Sequence, residues 1–376
     1  MTLTHSAAKR SHRALSSDDV LSTVFSFIDP LAGFGAATTS KTLRDAWQRR
    51  CRGMLRVFNQ RIGSFNYSDH CVAYGDGVMV ADYGNERHNG TLHAFGIVPA
   101  GGGGAFSGFD SASTSTANGS LQFHLELNVG LDTPKAVALR GDGTAWVLLS
   151  DVGKIVCVRL AVIHEEEDLG GEVLMRIGPL GTDYPLAESL VLAGDSLLVL
   201  CRFYEWGPGP ETTSNHVNVY DNQTGAFLRK FSLAGTDGNG DATTGTMAVQ
   251  GDMLYVTCKR NNSVDEYRWR DGTLMRRFGG RNQPLSFNEP FGVAIRGKTM
   301  YVSEVAGRQI QVIRLPDDDY SEPEILQVIP SPDDEELGGL CVSHDGNRLW
   351  CMGPEFGPTG DVARDSTYVH LFGPCY

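Results

Sequence analysis

One pattern of strands and turns recurs six times after residue 62, and it constrains the fold of this chain more than any other feature. In its most complete copy, residues 290–313, a short apolar strand runs into a turn at Gly297-Lys298, and a second strand follows with Tyr301 at its centre. Glycine and aspartate suit such turns because they tolerate the positive φ that tight hairpins demand. The residues that match Tyr301 are large in every copy and recur every 46 to 67 residues: Met79, Trp146, Leu198, Tyr255 and Trp350.

Each copy also supplies two outer strands. In the fourth copy they are residues 263–267 and 273–278, joined by the turn Arg270-Asp271-Gly272. Six copies of four strands at this spacing predict an all-β protein, a six-bladed β-propeller over residues 55–376. Such a ring leaves no long exposed sheet edge.

The strand that closes the ring is expected to come from the beginning of the propeller. The sixth copy lacks an outermost strand, because only residues 373–376 follow its strand 368–372. Residues 55–62 begin Leu-Arg-Val-Phe, which resembles the Leu-Arg-Lys-Phe of the outer strand 228–231. We expect strand 55–62 to complete the last blade, since the terminal units of a repeat protein need a partner or cap for the edge that has no neighbouring repeat. An apolar linker is the alternative interpretation.

The copies resemble NHL repeats. The resemblance rests on Pro290, the triplet Gly292-Val293-Ala294, the pair Tyr301-Val302, the acidic Glu304 and the Ile-x-Val of residues 310–312. Other copies keep parts of this signature, and the resemblance covers residues 55–376. It implies the propeller fold, but it does not imply one function, because propellers host many.

A separate helical module is predicted before the propeller. Residues 1–14 are expected to be disordered, and residues 15–52 to form three short helices. Apolar residues at 20, 21, 24, 25 and 28 recur at helical spacing, and Asp29-Pro30 ends this first helix because the residue before a proline avoids helical geometry. Leu43 and Trp47 lie four residues apart on the third helix.

Residues 15–31 and 39–47 of this module resemble an F-box. The resemblance implies binding to the Skp-type adaptor of a cullin-type ubiquitin ligase. The residues implied to meet the adaptor are Leu15, Leu21, Phe25, Ile28 and Leu31. A helical cap that stabilises the propeller is the alternative.

Long insertions predict one loop-rich binding face on the propeller. Segments 202–215, 234–245 and 353–367 fall on the same face, and insertions on one face of a repeat protein usually mark binding. We expect a protein partner to bind there through Tyr204, Glu205, Trp206, Asp241, Glu304 and Glu355. The chain is therefore predicted to be the substrate-recognition subunit of a ubiquitin ligase, with ubiquitin transfer left to other subunits.

No catalytic motif stands out, and the chain is predicted to be neither an enzyme nor a holder of a cofactor or metal. It contains no Gly-x-Ser-x-Gly, no Walker loop and no His-Glu-x-x-His. The alternative is a metal-dependent propeller hydrolase, lactonase or lyase. In that alternative, carboxylates at the central channel would hold a cation, and the candidates are Asp82, Glu188, Glu289 and Glu304.

Net charge and composition further narrow the classes of partner that the chain is expected to bind. The net charge is −13, but residues 1–54 carry eight basic and four acidic residues, so the remainder carries −17. Such an acidic body argues against a nucleic-acid partner, because phosphate contacts need Lys and Arg. With no long apolar run, a membrane partner is not expected, and we predict a cytoplasmic protein, with the nucleus as the alternative. The cysteines in the strand-like runs are expected to be buried and reduced.

Overall fold

The computed structural model describes most of the repeat region. The described residues are 55–66, 68, 70–74, 77–83, 90–96, 123–131, 133–149, 153–160, 172–178, 186–205, 212–234, 238–239, 244–280, 285–316, 321–332, 334–344, 346, 348–354 and 366–374. The predicted helical module and its adaptor-binding residues Leu15, Leu21, Phe25, Ile28 and Leu31 lie outside them. No helix among the described residues is long and apolar enough to cross a membrane.

The described strands form six antiparallel sheets, which are the blades. The first three blades are built from consecutive strands. Blade 1 holds β2 (Cys71–Tyr74), β3 (Gly77–Asp82), β4 (Gly90–Gly96) and β5 (Phe123–Leu131); blade 2 holds β6 (Pro134–Leu139), β7 (Thr144–Leu149), β8 (Lys154–Arg159) and β9 (Val173–Ile177); blade 3 holds β10 (Leu186–Ala193), β11 (Ser196–Glu205), β12 (Thr212–Asp221) and β13 (Phe227–Ser232), with β14 (Gly238–Asn239) paired to β12.

The remaining blades repeat this order, and the last one borrows a strand. Blade 4 holds β15 (Thr244–Gln250), β16 (Met253–Cys258), β17 (Ser263–Arg268) and β18 (Thr273–Gly279); blade 5 holds β19 (Pro290–Arg296), β20 (Thr299–Glu304), β21 (Gln309–Arg314) and β22 (Glu324–Pro330); blade 6 has the order β1 (Leu55–Asn66), β25 (Ser366–Pro374), β24 (Leu349–Pro354) and β23 (Leu340–Val342). The first described strand thus lies at the outer edge of the last blade, which is the strand order that the closing-strand prediction requires.

The innermost strands close into a ring. β2 contacts β6, β6 contacts β10, and the series continues through β15, β19 and β23 back to β2. All six strands belong to one compact unit, Asn59–Leu371. The prediction of an all-β six-bladed propeller is confirmed.

Neighbouring blades are held together by large apolar side chains. The residues predicted to recur at the centre of each second strand are all buried, from Met79 and Trp146 with no exposed surface to Tyr301 at 5 %. Trp146 packs with Leu197 and Tyr220 between blades 2 and 3. Burial of each such side chain stabilises the fold by about 1.5–3 kcal/mol, so the repeated position supplies the core. The described cysteines are likewise free thiols and buried, as predicted.

Candidate functional site at the centre of the propeller

Four of the described blades carry an irregularity at the beginning of their innermost strands, and in two neighbouring ones, blades 2 and 3, it involves a charged residue. The pairing of β6 with β7 skips a residue between Pro134 and Ala136, and that of β10 with β11 skips one between Ala187 and Ser189. Such β-bulges leave one residue out of the ladder and re-aim its side chain. The two residues left out are Lys135 and Glu188, so the bulges direct opposite charges from adjacent blades towards each other.

Lys135, Glu188 and Arg202 form what we call the Lys–Glu–Arg cluster. The Lys135 Nζ donates a hydrogen bond to Glu188 Oε2 at 2.5 Å, and the Arg202 guanidinium donates to Glu188 Oε1. The side chains are 23 %, 11 % and 17 % exposed respectively. Two cations against one carboxylate leave one net positive charge in a partly desolvated place, where a charge acts more strongly than at an open surface.

A central cavity of about 340 Å³ is lined by the innermost strands of all six blades. Its wall consists of three layers of six residues, one from each blade, and the middle layer pairs across the sheet with the large residues that match Tyr301. The layers are Cys71, Val137, Leu190, Met247, Val293 and Leu340, then Val72, Ala138, Val191, Ala248, Ala294 and Cys341, then Ala73, Leu139, Leu192, Val249, Ile295 and Val342.

His70 and Thr246 complete the lining at the end where the innermost strands begin. The residues at the same position in the other blades are small, namely Ala136, Ser189, Gly292 and Gly339. His70 is therefore the one large polar side chain in this layer. Its Nδ1 is buried and has no hydrogen-bond partner among the described residues.

His70 is held in its neutral form. Burial, together with the positive charge of nearby Lys135, lowers the pKa of His70 to about 4. At neutral pH the imidazole is uncharged, and one ring nitrogen of a neutral imidazole carries a lone pair that accepts a proton or a hydrogen bond. A perturbed titratable group in a cavity beside a specific charged partner is a physical signature of a functional site.

The four carboxylates considered for a metal do not come together. Asp82 lies beside His93, with 3.4 Å between Oδ2 and Nε2, and Glu188 is engaged by Lys135 and Arg202. Glu289 is exposed in another blade. Within the described part of the chain, no three His, Cys, Asp or Glu residues are grouped so that they could hold a metal ion. The metal of the alternative interpretation therefore does not fit these residues.

Glu304, predicted on the partner-binding face, is only 1 % exposed. Its carboxylate accepts hydrogen bonds from the Asn288 backbone N–H and from the side-chain amides of Gln309 and Gln311. Burial raises the pKa of this carboxyl, although the three donors act in the opposite direction. The side chain is thus held inside blade 5 and does not present the exposed carboxylate that the sequence suggested.

The other predicted partner-binding residues fall at or beyond the limits of the described chain. Tyr204 and Glu205 lie at the end of β11, while Trp206, Asp241 and Glu355 lie outside the described residues. Their role in binding a partner stays a prediction. Sequence reasoning missed His70, Lys135 and Arg202, although a histidine at 70 and a lysine at 135 stand where the most complete copy has glycine and phenylalanine.

No protein-family model matches this chain, and no curated protein matches it in sequence. The resemblances to an F-box and to NHL repeats therefore stay predictions. Among solved structures, the chain is similar to the PQQ-bound form of an aldose sugar dehydrogenase from Streptomyces coelicolor, with 10 % identity over 85 % of this chain and 97 % of that one, at a TM-score of 0.48.

Two further solved structures, both of enzymes, are similar to this chain at comparably low sequence identity. A periplasmic gluconolactonase from Pseudomonas aeruginosa shares 14 % identity over 70 % of this chain and 85 % of its own, at a TM-score of 0.44. A glutaminyl cyclase from Myxococcus xanthus shares 9 % identity over 85 % and 97 % of the two chains, at a TM-score of 0.40. Likenesses this distant concern the fold alone.

These comparisons correct one prediction. The sequence predicts a non-enzymatic subunit, because the propeller contains no known catalytic motif. That prediction is not retained, because propellers of similar fold are named as enzymes, so this fold without a known motif does not by itself indicate a binding scaffold. The absence of a short catalytic motif carries little weight in this fold, because a site at the ring centre draws single residues from several blades.

Proposed function

We propose that this propeller is a hydrolase of carboxylic esters or lactones whose active site is His70 and Lys135 at the end of the central cavity. The observation that carries the proposal is the neutral imidazole of His70, with its unpartnered Nδ1, next to a cluster with one net positive charge. A base and a cation beside a cavity are groups that acyl transfer to water requires. No step of the proposed reaction uses a metal.

In the proposed reaction, His70 Nδ1 takes a proton from a water molecule whose oxygen attacks the carbonyl carbon of the substrate. The electron pair of the C=O bond moves onto the carbonyl oxygen, and Lys135 stabilises that negative charge. The ammonium has three N–H donors, of which Glu188 takes one. When the pair returns, the acyl C–O bond breaks and the leaving alkoxide receives the proton from His70. An ester yields an acid and an alcohol, whereas a lactone yields one hydroxy acid.

Glu188 and Arg202 position the lysine. Their hydrogen bonds fix the Lys135 side chain at the bulge, so that no ordering of a flexible chain is required during the reaction. A base of pKa about 4 is weak, but the negative charge that develops on the substrate stabilises the imidazolium as it forms. Activity should therefore be constant at neutral pH and fall as the solution approaches pH 4.

The test is hydrolysis of p-nitrophenyl butyrate and of a γ-lactone by the full chain. His70→Gln should lower kcat/KM by about 100-fold or more, the range typical of a lost general base. Lys135→Met should lower kcat by about 100-fold. His344→Gln removes an exposed histidine of blade 6 and should leave the rate unchanged. Absence of hydrolysis, or equal rates for the His70 and His344 variants, would count against the proposal.

A second proposal concerns residues 15–52, where the spacing of apolar residues resembles an F-box. We propose that this module binds a Skp-type adaptor and, through it, a cullin, while the propeller acts on its own substrate. Changing Leu21 and Phe25 to Asp should abolish co-purification of the adaptor without changing the melting temperature of the chain. Recovery of the same adaptor by the double variant would refute this interpretation.

A further inference from the structure

The central cavity is bordered by the backbone edges of the six innermost strands. Each of β2, β6, β10, β15, β19 and β23 stands at the inner end of its sheet and pairs with one neighbouring strand only. Its other edge therefore faces the cavity that these strands line. In an antiparallel pair, residues that bond to the partner strand alternate with residues whose N–H and C=O groups point away from it. Every second residue thus turns both backbone groups to the cavity.

Backbone hydrogen bonds identify these residues. In blade 2, the Arg140 N–H donates to the Thr144 carbonyl oxygen at 3.0 Å, and this bonded pair sets the alternation. Ala138 is therefore bonded to β7, whereas Val137 and Leu139 turn their N–H and C=O groups to the cavity. The same phase follows from the pairing registers of the other five blades. The first and third layers of the wall each contribute six such residues.

Thr246 shows how a hydroxyl group bonds to such an edge. The Val293 N–H, one of the groups that point away from the second strand, donates a hydrogen bond to Thr246 Oγ1 at 3.0 Å across the boundary between blades 4 and 5. Thr246 Oγ1 is the acceptor of this bond, and within the described part of the chain its hydroxyl donates to no protein acceptor. Because Thr246 also lines the cavity, its O–H is placed to donate to an occupant.

A cavity with this lining suits an occupant that forms many hydrogen bonds, because backbone N–H and C=O groups left unpaired inside a protein are costly. A hydroxyl group both donates and accepts, as water does, whereas a methylene group does neither. At about 30 Å³ per water, the 340 Å³ of the cavity corresponds to roughly eleven waters, which is at the small end of the range for ligand pockets. The occupant that fits is therefore small and rich in hydroxyl groups.

We infer that the substrates are lactones or esters of small hydroxylated acids, whose hydroxyl groups bind the free backbone edges of the innermost strands while the carbonyl group lies at His70. This inference rests on the proposed function for the reacting end. The positive charge of the Lys–Glu–Arg cluster complements the carboxylate that hydrolysis produces. The free hydroxylated acid is therefore a non-reacting probe of the same site.

The binding experiment is calorimetric titration of the full chain with trihydroxybutanoate and with butanoate, which differ only in three hydroxyl groups. We expect the Kd of trihydroxybutanoate to be about 100-fold lower, at about fivefold for each hydroxyl that forms a hydrogen bond. Thr246→Val keeps the shape of the side chain but removes its hydroxyl, and it should weaken trihydroxybutanoate binding about fivefold and leave butanoate unchanged. Thr299→Val is the matched control, in the hairpin at the other end of β19, and should change neither.

The kinetic experiment compares hydrolysis of γ-butyrolactone with hydrolysis of its dihydroxy derivative, which has the same ring and the same reacting carbonyl group. We expect kcat/KM to be about 25-fold higher for the dihydroxy lactone, because a site that bonds a substrate hydroxyl discriminates against the analogue that lacks it. Thr246→Val should reduce this ratio about fivefold, whereas Thr299→Val should leave it unchanged.

The outcomes separate this inference from the proposed function. Hydrolysis of both lactones with equal kcat/KM, or equal Kd values for the two acids, would overturn the inference alone. Tighter binding of trihydroxybutanoate without hydrolysis of either lactone would support the hydroxyl-binding site and overturn the proposed reaction. Absence of binding by either acid would overturn the inference, as would a Thr246→Val variant that binds trihydroxybutanoate as tightly as the parent.

Discussion

His70 shows how one residue links stability, acidity and chemistry. In the unfolded chain its imidazole has an ordinary pKa of about 6.5, whereas in the folded protein burial and Lys135 lower that pKa to about 4. The unfolded chain therefore binds a proton more readily than the folded one. The contribution of His70 to stability is complete above pH 6.5 and is lost progressively as the pH falls from 6.5 to 4.

We predict that the free energy of unfolding falls with acidification in this window, by up to about 3 kcal/mol from His70 alone. His70→Gln should reduce the dependence on pH, measured by urea denaturation at pH 7.5, 5.5 and 4.5. Burial, with the positive charge of Lys230, also lowers the pKa of His216 to about 4. His216→Gln should therefore remove a further part of the pH dependence of the free energy of unfolding. An unchanged pH slope in the double variant would show that these histidines are not buried in their neutral form.

Glycines at the beginning of the innermost strands decide how closely adjacent blades approach. Ser303 Oγ donates a hydrogen bond to the Gly338 carbonyl oxygen at 2.5 Å, and Thr257 Oγ1 donates to the Phe291 carbonyl oxygen at 2.6 Å. Each hydroxyl thus bridges one blade to the next. The bridges pass directly over Gly292 and Gly245, which leave room because they lack a Cβ.

We predict that Gly292→Ala destabilises the protein by about 1–3 kcal/mol, because the new Cβ would lie 2.6 Å from Ser303 Oγ and 2.7 Å from the Gly338 carbonyl oxygen. Gly297→Ala is the control: it lies in the hairpin of the same blade at φ +57°, with open space around it. That variant should cost only about 1–2 kcal/mol of backbone strain. The comparison is made by guanidinium denaturation, and a Gly292 variant as stable as the parent would refute the close approach of the blades.

Ring closure is the property of the whole molecule on which its stability depends. The innermost strands contact one another around the complete circle, and blade 6 is assembled from both ends of the propeller sequence, with β1 beside β25. Without β1, the outer edge of β25 would lack its partner. An unpaired sheet edge both loses hydrogen bonds and offers a surface for aggregation.

We predict that deleting residues 1–62, which removes most of β1, lowers the melting temperature well below that of a chain lacking residues 1–50. The shorter deletion leaves β1 intact and should melt like the full chain. Light scattering should also detect aggregation of the longer deletion alone. Equal melting temperatures for the two truncations would contradict the closing role of β1.

The sequence by itself determined the architecture, because the signals for strands and turns are local. The recurrence of large residues at 79, 146, 198, 255, 301 and 350 indicates blades, and the same residues are buried between the sheets. The likeness of residues 55–62 to an outer strand likewise needs no knowledge of the third dimension. Each signal depends on neighbours within a few residues of the chain.

Only the tertiary structure decided the site. His70, Lys135, Glu188 and Arg202 come from three different blades, and no spacing in the sequence relates them; the ring and two β-bulges bring them together. The pKa of His70 depends on desolvation and on a lysine 65 residues away, neither of which a linear pattern records. For Glu304 the sequence predicts an exposed binding residue, whereas the folded chain supplies the donors that hold its carboxylate inside the blade. Desolvation and charge act through space, and the fold alone determines which residues share that space.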